Sequence, residues 1–134
     1  ICIADVHIGE TVNPEDVNYV NEYNTDIALF RVNKCVDDFI DIYINKFDKY
    51  EYDGVVCNVM GDIITGELHD LKEENDNTSV DQVIIAVQML ETQIRKLHKA
   101  FGKVMVNMVS GNHGRSQPMK YTKLANRYNN SLEK

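Results

Sequence analysis

The sequence predicts an α/β fold with a mostly parallel sheet, and three observations carry the prediction. Three short apolar, β-rich runs fall at residues 1–4, 54–60 and 103–109. Two long stretches of helical periodicity separate them, the alternation expected of parallel strands joined by crossover helices. Each run also ends in a polar cluster, at the edge of the sheet where α/β proteins bind their ligands.

The first run, Ile1-Cys2-Ile3-Ala4, reads as a strand, because it lacks the basic flank and the length of a signal peptide. It exits into Asp5-Val6-His7. The loop from Ile8 to Asn24 is long for an α/β unit, and loops of that length carry function or move. A helix then starts at Thr25 as N-cap with Asp26 in its first turn. Its apolar stripe is Leu29, Val32, Val36, Phe39, Ile40, Tyr43 and Phe47. The second run, Gly54 to Met60, exits into Gly61-Asp62.

Ser79 and Gln82 form a capping box for the second helix, with the stripe Val83, Val87, Leu90, Ile94, Leu97 and Phe101 and a stop at Gly102. The third run, Lys103 to Val109, exits into Gly111-Asn112-His113. After Pro118, the polar segment from Met119 to Lys134 suggests a third helix that begins near Lys120.

At 134 residues, 43% hydrophobic and 26% charged, the chain has the size and composition of one globular domain. No apolar run reaches the roughly 18–20 residues that cross a bilayer, so no membrane partner is expected. Cys2, Cys35 and Cys57 make an odd set without CxxC spacing, which suits a reducing, cytoplasmic compartment. A net charge of -7 argues against a protein-wide grip on nucleic acid. It leaves room for a nuclease, whose acidic cluster is neutralised by metal ions and whose contact with the backbone is a local basic strip.

The chemistry collects at the three exits. Residues two apart in an extended exit point the same way, so Asp5 and His7 offer one cation a carboxylate oxygen and an imidazole nitrogen. Gly61 and Gly111 stand where the backbone must turn or approach closely. Each cluster alone is a weak signal. Together, in order and each directly after a strand, Asp-x-His, Gly-Asp and Gly-Asn-His resemble the pattern of the calcineurin-like metallophosphoesterase superfamily, over Asp5 to His113.

The segments ADVHIGE, MGDIITGELHD and SGNHGR are similar to those of metallophosphoesterases encoded by phages and related mobile elements. The resemblance implies a metallophosphoesterase-type α/β sandwich in phage or bacterial host cytosol, with two divalent metal ions. It implies Asp5 and His7 at one metal, Asp62 bridging both, Asn112 at the second metal and on the phosphate, and His113 as the catalytic group beside the scissile bond. Oxygen and nitrogen ligands favour Mn²⁺ and leave Fe, Zn²⁺ and Mg²⁺ open.

Two features depart from the superfamily pattern. Gly114-Arg115 stands where an acidic residue often orients the histidine, so the partner of His113 is open, while Arg115 suits a substrate phosphate. The later lone His and Gly-His-x-His do not follow His113. The expectation is a single domain, residues 1–134, incomplete at both ends, that supplies the β-α-β-α-β half of the sandwich; the alternative is a minimal form with an incomplete second metal site.

Among the remaining polar residues, His69 follows Gly-Asp closely enough to touch substrate, although an exposed loop histidine is the commoner case. His98 suits a structural or surface place on its helix, Cys57 the core, and Glu73, Glu74, Asp76 and Asp81 a solvated loop, with metal recruitment the alternative for that acidic stretch. Lys120, Lys123 and Arg127 recur at helical spacing, on a solvated face or facing a nucleic-acid backbone. The expected function is phosphoester hydrolysis, with DNA or RNA as substrate. The alternatives are a protein or small-molecule phosphatase or phosphodiesterase of the same fold, and a non-catalytic binding module that has lost half of the metal site. Oligomeric state is not legible.

Overall fold

The structure is a computed structural model that describes residues 1–66 and 75–114. Strands β1 (Cys2–Ile3), β2 (Val55–Val59) and β3 (Val104–Met108) form one sheet in the order β1-β2-β3, with both pairs parallel. Helix α1 (Thr25–Asp41) joins the first two strands and α2 (Ser79–Phe101) the last two. The α/β class and the β-α-β-α-β order agree with the sequence, and each strand is shorter than its apolar run.

Two successive crossovers of the usual right-handed kind, stepping the same way across the sheet, put both helices on one face. The alternation of side chains then separates two surfaces. Ile3, Cys57 and Val59 pack with Ala28 and Val36 of α1 and Ala86, Met89 and Leu97 of α2 into the core. Lys96 Nζ ties the two helices together, reaching Asn33 Oδ1 at 2.7 Å and Asp37 Oδ1 at 2.6 Å.

The opposite face carries Val56, Met105 and a cross-strand row, Cys2, Asn58 and Asn107. Asn107 Nδ2 donates to Asn58 Oδ1 at 3.0 Å and Asn58 Nδ2 meets Cys2 Sγ at 3.8 Å. Met105 is 61% exposed, so the described residues leave this face uncovered.

The helix ends differ from the sequence expectation by a residue or more. Asn24, and not Thr25, caps α1, its Oδ1 accepting from the Ile27 N–H at 2.9 Å. Thr78, and not Ser79, caps α2, and its partner is Asp81 instead of Gln82. In both cases the preceding polar residue is extended and half outside the helix, as a cap must be. Helix α1 ends at Asp41 and passes into a π-helical turn, Ile42–Lys46, so Tyr43 and Phe47 at the end of the expected stripe are exposed.

The buried face of α2 is also rotated from the expected stripe, to Gln82, Ala86, Met89, Gln93 and Leu97, while Val87 is 59% exposed. Two glutamines are buried because they have work there. Gln82 accepts from Gly66 N at 2.9 Å and donates to Asn77 O at 3.0 Å, and Gln93 Nε2 reaches Asn33 Oδ1 at 3.5 Å. Among the described residues no helix is long and apolar enough to cross a membrane.

Candidate metal centre

The exits of β1 and β2 continue side by side beyond the strands. Asp5 N donates to Gly61 O at 3.2 Å, His7 N to Asp62 O at 3.0 Å, and Ile8 N to Ile63 O at 2.8 Å. They are not extended. Asp5, His7 and Asp62 have φ of 53°, 49° and 51°, in the left-handed region that costs a side chain with a Cβ roughly 1–2 kcal/mol each. The alternation drives Val6 and Ile8 into the core and turns Asp5 and His7 outward together. The convergence expected of this pair is present, with Asp5 Oδ1 4.0 Å from His7 Nε2, but the cause is left-handed backbone and not an extended exit.

The third exit is pressed against the second, and glycine makes that approach feasible. A Cβ on Gly111 would lie 2.0 Å from Asp62 Oδ1, and one on Gly61 2.4 Å from Gly111 N. At this contact the His113 N–H donates to Asp62 Oδ1 at 2.8 Å. A carboxylate has about four lone-pair sites, so this bond does not exhaust Asp62.

His113 finds its orienting partner in the backbone. Its Nδ1 lies 3.3 Å from Thr65 O, and because a carbonyl only accepts, this contact calls for a proton on Nδ1. The ring also meets His7 edge to face, with centroids 4.4 Å apart. Thus the Asp5–His7 pair, the His7–His113 ring contact and the bond from His113 N to Asp62 link the three exits at the carboxyl ends of the strands.

Glu10 is a residue that the sequence did not single out. Its N–H donates to His7 O at 3.1 Å, closing a tight turn that brings Glu10 Oε2 to 3.8 Å from His7 Nδ1. That nitrogen is buried and, among the described residues, has no hydrogen-bond partner. Histidines that bind metal through one nitrogen usually offer the other to a carboxylate, and Glu10 stands in the place of that carboxylate.

A polar network fixes the cluster from beneath. Gly9 N donates to Thr25 Oγ1 at 3.2 Å, Thr25 Oγ1 donates to Asp76 Oδ1 at 2.8 Å, and Thr25 N donates to Asp76 Oδ2 at 3.1 Å. Asp76 and Asp81 are therefore structural, one anchoring α1 and the other the capping partner of Thr78, and not simply a solvated acidic stretch. Their partners lie far away in sequence or one residue off the expected cap, which hid both roles. The Ile8 to Asn24 loop is closed by two hydrogen bonds between Val12 and Tyr23, at 2.9 Å and 3.2 Å. The Tyr23 hydroxyl donates to Val6 O, and burial pushes its pKa above the ordinary tyrosine value, which keeps that donor protonated.

The donors fit a divalent ion in kind, but neighbouring ligands about 2.1 Å from one metal lie about 3.0–3.4 Å apart, so Asp5 and His7, 4.0 Å apart, would have to draw together to share one. Among the described residues, however, no three His, Cys, Asp or Glu side chains are close enough to hold an ion. A full ligand shell is not complete within them.

Arg115, His69, Glu73, Glu74, Lys120, Lys123, Arg127 and the third helix lie outside the described residues. His98 is exposed on α2, as expected. Cys57 is in the core, where burial raises its thiol pKa. Compared with protein families, with curated proteins and with solved structures, the chain matches nothing in any of the three.

Proposed function

We propose that this chain is a metal-dependent phosphoester hydrolase of the metallophosphoesterase type, with nucleic acid as its substrate class. The observation that carries the proposal is the coincidence of motif and strain. Asp5, His7 and Asp62, the residues the motifs nominate as ligands, are three of the five non-glycine residues with positive φ among those described. Left-handed side chains persist where the surrounding structure imposes them, and they gather at functional sites.

Asp5, His7, Asp62 and Asn112 would hold two divalent ions, Mn²⁺ favoured, and ions bound there supply a water of lowered pKa and a clamp on the phosphate oxygens. The rest falls to the chain. Water oxygen bonds to phosphorus and sheds one proton to solvent as the bond to the ester oxygen breaks in line with it, and solvent recharges the acid that protonates that oxygen. The Asn112 amide donates to an equatorial oxygen. His113, steered by the Thr65 carbonyl, takes up a second proton on Nε2 and gives it to the departing oxygen. Asp62 holds the His113 backbone and sits against Gly111, so acid and ligand cannot drift apart.

A non-catalytic binding module of the same origin is the second reading, favoured by the incomplete ligand group among the described residues. Hydrolysis of methyl p-nitrophenyl phosphate and of a DNA oligonucleotide with Mn²⁺ separates the two. The enzyme cleaves both, and His113→Ala loses about 10²- to 10⁴-fold in turnover while still binding Mn²⁺ by calorimetry. No cleavage of either substrate by the wild-type chain would leave the binding module.

A further inference from the structure

A pocket of about 420 Å³ opens beside the candidate metal centre, between the outer edge of β1, the Val12–Tyr23 loop and α1. Asp5, His7 and Glu10 line it together with Val12, Tyr23, Arg31 and Val32. The volume lies in the range of small-molecule sites, and apolar walls with a few polar groups are their usual make-up. Neither the motifs nor the proposed chemistry uses it.

Arg31 gives the pocket its character. Its guanidinium carbon lies over the Tyr23 ring, 5.2 Å from its centre, a cation–π contact that ties the side chain to the ring. Among the described residues it forms no ion pair with a carboxylate. Tyr23 is fixed in turn by its bond to Val6 O, in the exit that carries Asp5 and His7. The lining is mixed, with Glu10 and Asn21 beside the valines, and Arg31 is exposed at its rim; a planar donor fork there suits a flat ligand whose edge presents acceptors, and it can pair with base oxygens and nitrogens or stack on a base.

We infer that this pocket seats the nucleoside next to the scissile phosphate, with Arg31 as a specificity-determining residue. The inference rests on the phosphoesterase proposal and names the group that its substrate carries. A sugar alone leaves the valines unmatched, and a lipid chain leaves Arg31 unmatched. A nucleoside satisfies both, and its phosphate falls toward Asp5 and His7.

The test compares two esters with the same leaving group, thymidine 5′-(p-nitrophenyl phosphate) and methyl p-nitrophenyl phosphate, in wild type and Arg31→Ala with Mn²⁺. Wild type prefers the thymidine ester, and Arg31→Ala lowers the ratio of the two kcat/KM values about tenfold or more, through KM of the thymidine ester. An unchanged ratio, or no wild-type preference, overturns the inference. Calorimetry with thymidine 5′-monophosphate separates the two claims. A chain that cleaves the methyl ester but does not bind the nucleotide refutes the pocket and keeps the hydrolase. A chain that cleaves neither ester yet binds the nucleotide with a tenfold dependence on Arg31 keeps the pocket and refutes the hydrolase.

Discussion

The bodies of the three strands and their exits lie only a few residues apart and follow opposite rules. In the bodies, apolar side chains alternate in ordinary extended backbone, and Ile3, Cys57 and Val59 bury themselves against two helices. At the exits, Asp5, His7 and Asp62 take left-handed backbone, polar atoms meet polar atoms, and glycine is required because a Cβ would collide with Asp62. The bodies lower the free energy of the fold and the exits raise it. The physical lesson is that the helix-covered layer supplies the stability that keeps a strained polar edge in place.

The comparison can be broken at several points, and the largest effect belongs to the bodies. Leu97 is 0% exposed at the centre of the covered face, and Leu97→Ala should lower unfolding free energy by about 3 kcal/mol in denaturant titration. Activity measured well below the midpoint should stay within a factor of two or so. A loss of turnover with little loss of stability would mean that layer and edge are not separable.

A smaller effect lies at the edge. If Glu10 orients His7, then Glu10→Gln should weaken Mn²⁺ affinity about 10-fold by calorimetry and leave thermal unfolding without metal nearly unchanged. Unaltered affinity would reduce Glu10 to the closing residue of a turn.

The smallest is local to α2. Thr78→Ala removes the cap on Asp81 N and should cost about 1 kcal/mol of stability. Ser79→Ala should cost much less, and the reverse order would restore the cap that the sequence suggests.

Most of the bodies was legible in the sequence, and the edge was legible in part. Periodicity finds strands and helices because burial imposes it, so α1, α2 and their alternation with the strands could be read directly. It failed on α2, where Gln82, accepting from Gly66 N and donating to Asn77 O, buries a polar side chain that a hydrophobicity pattern assigns to solvent. The motifs located Asp5, His7, Asp62 and the Gly111-Asn112-His113 turn. The supporting groups escaped, because the Thr65 carbonyl behind His113 is backbone, and because Asp76 and Thr25 are joined by folding across fifty residues. Glu10 was nearer, three residues after His7, and a tight turn at Gly9 was the signal that placed it there.

The central claim is that the strand exits bind divalent metal and put it to use in hydrolysis. Calorimetric Mn²⁺ titration of wild type and Asp62→Asn, with hydrolysis of methyl p-nitrophenyl phosphate followed in the same samples, tests it most directly. Asparagine keeps an oxygen for the His113 N–H and removes only the charge. The account predicts that wild type binds Mn²⁺ and cleaves the ester, and that Asp62→Asn loses most of the binding and about 10³-fold or more in turnover, with metal-free unfolding nearly unchanged. Wild-type Mn²⁺ binding and turnover in Asp62→Asn would contradict it.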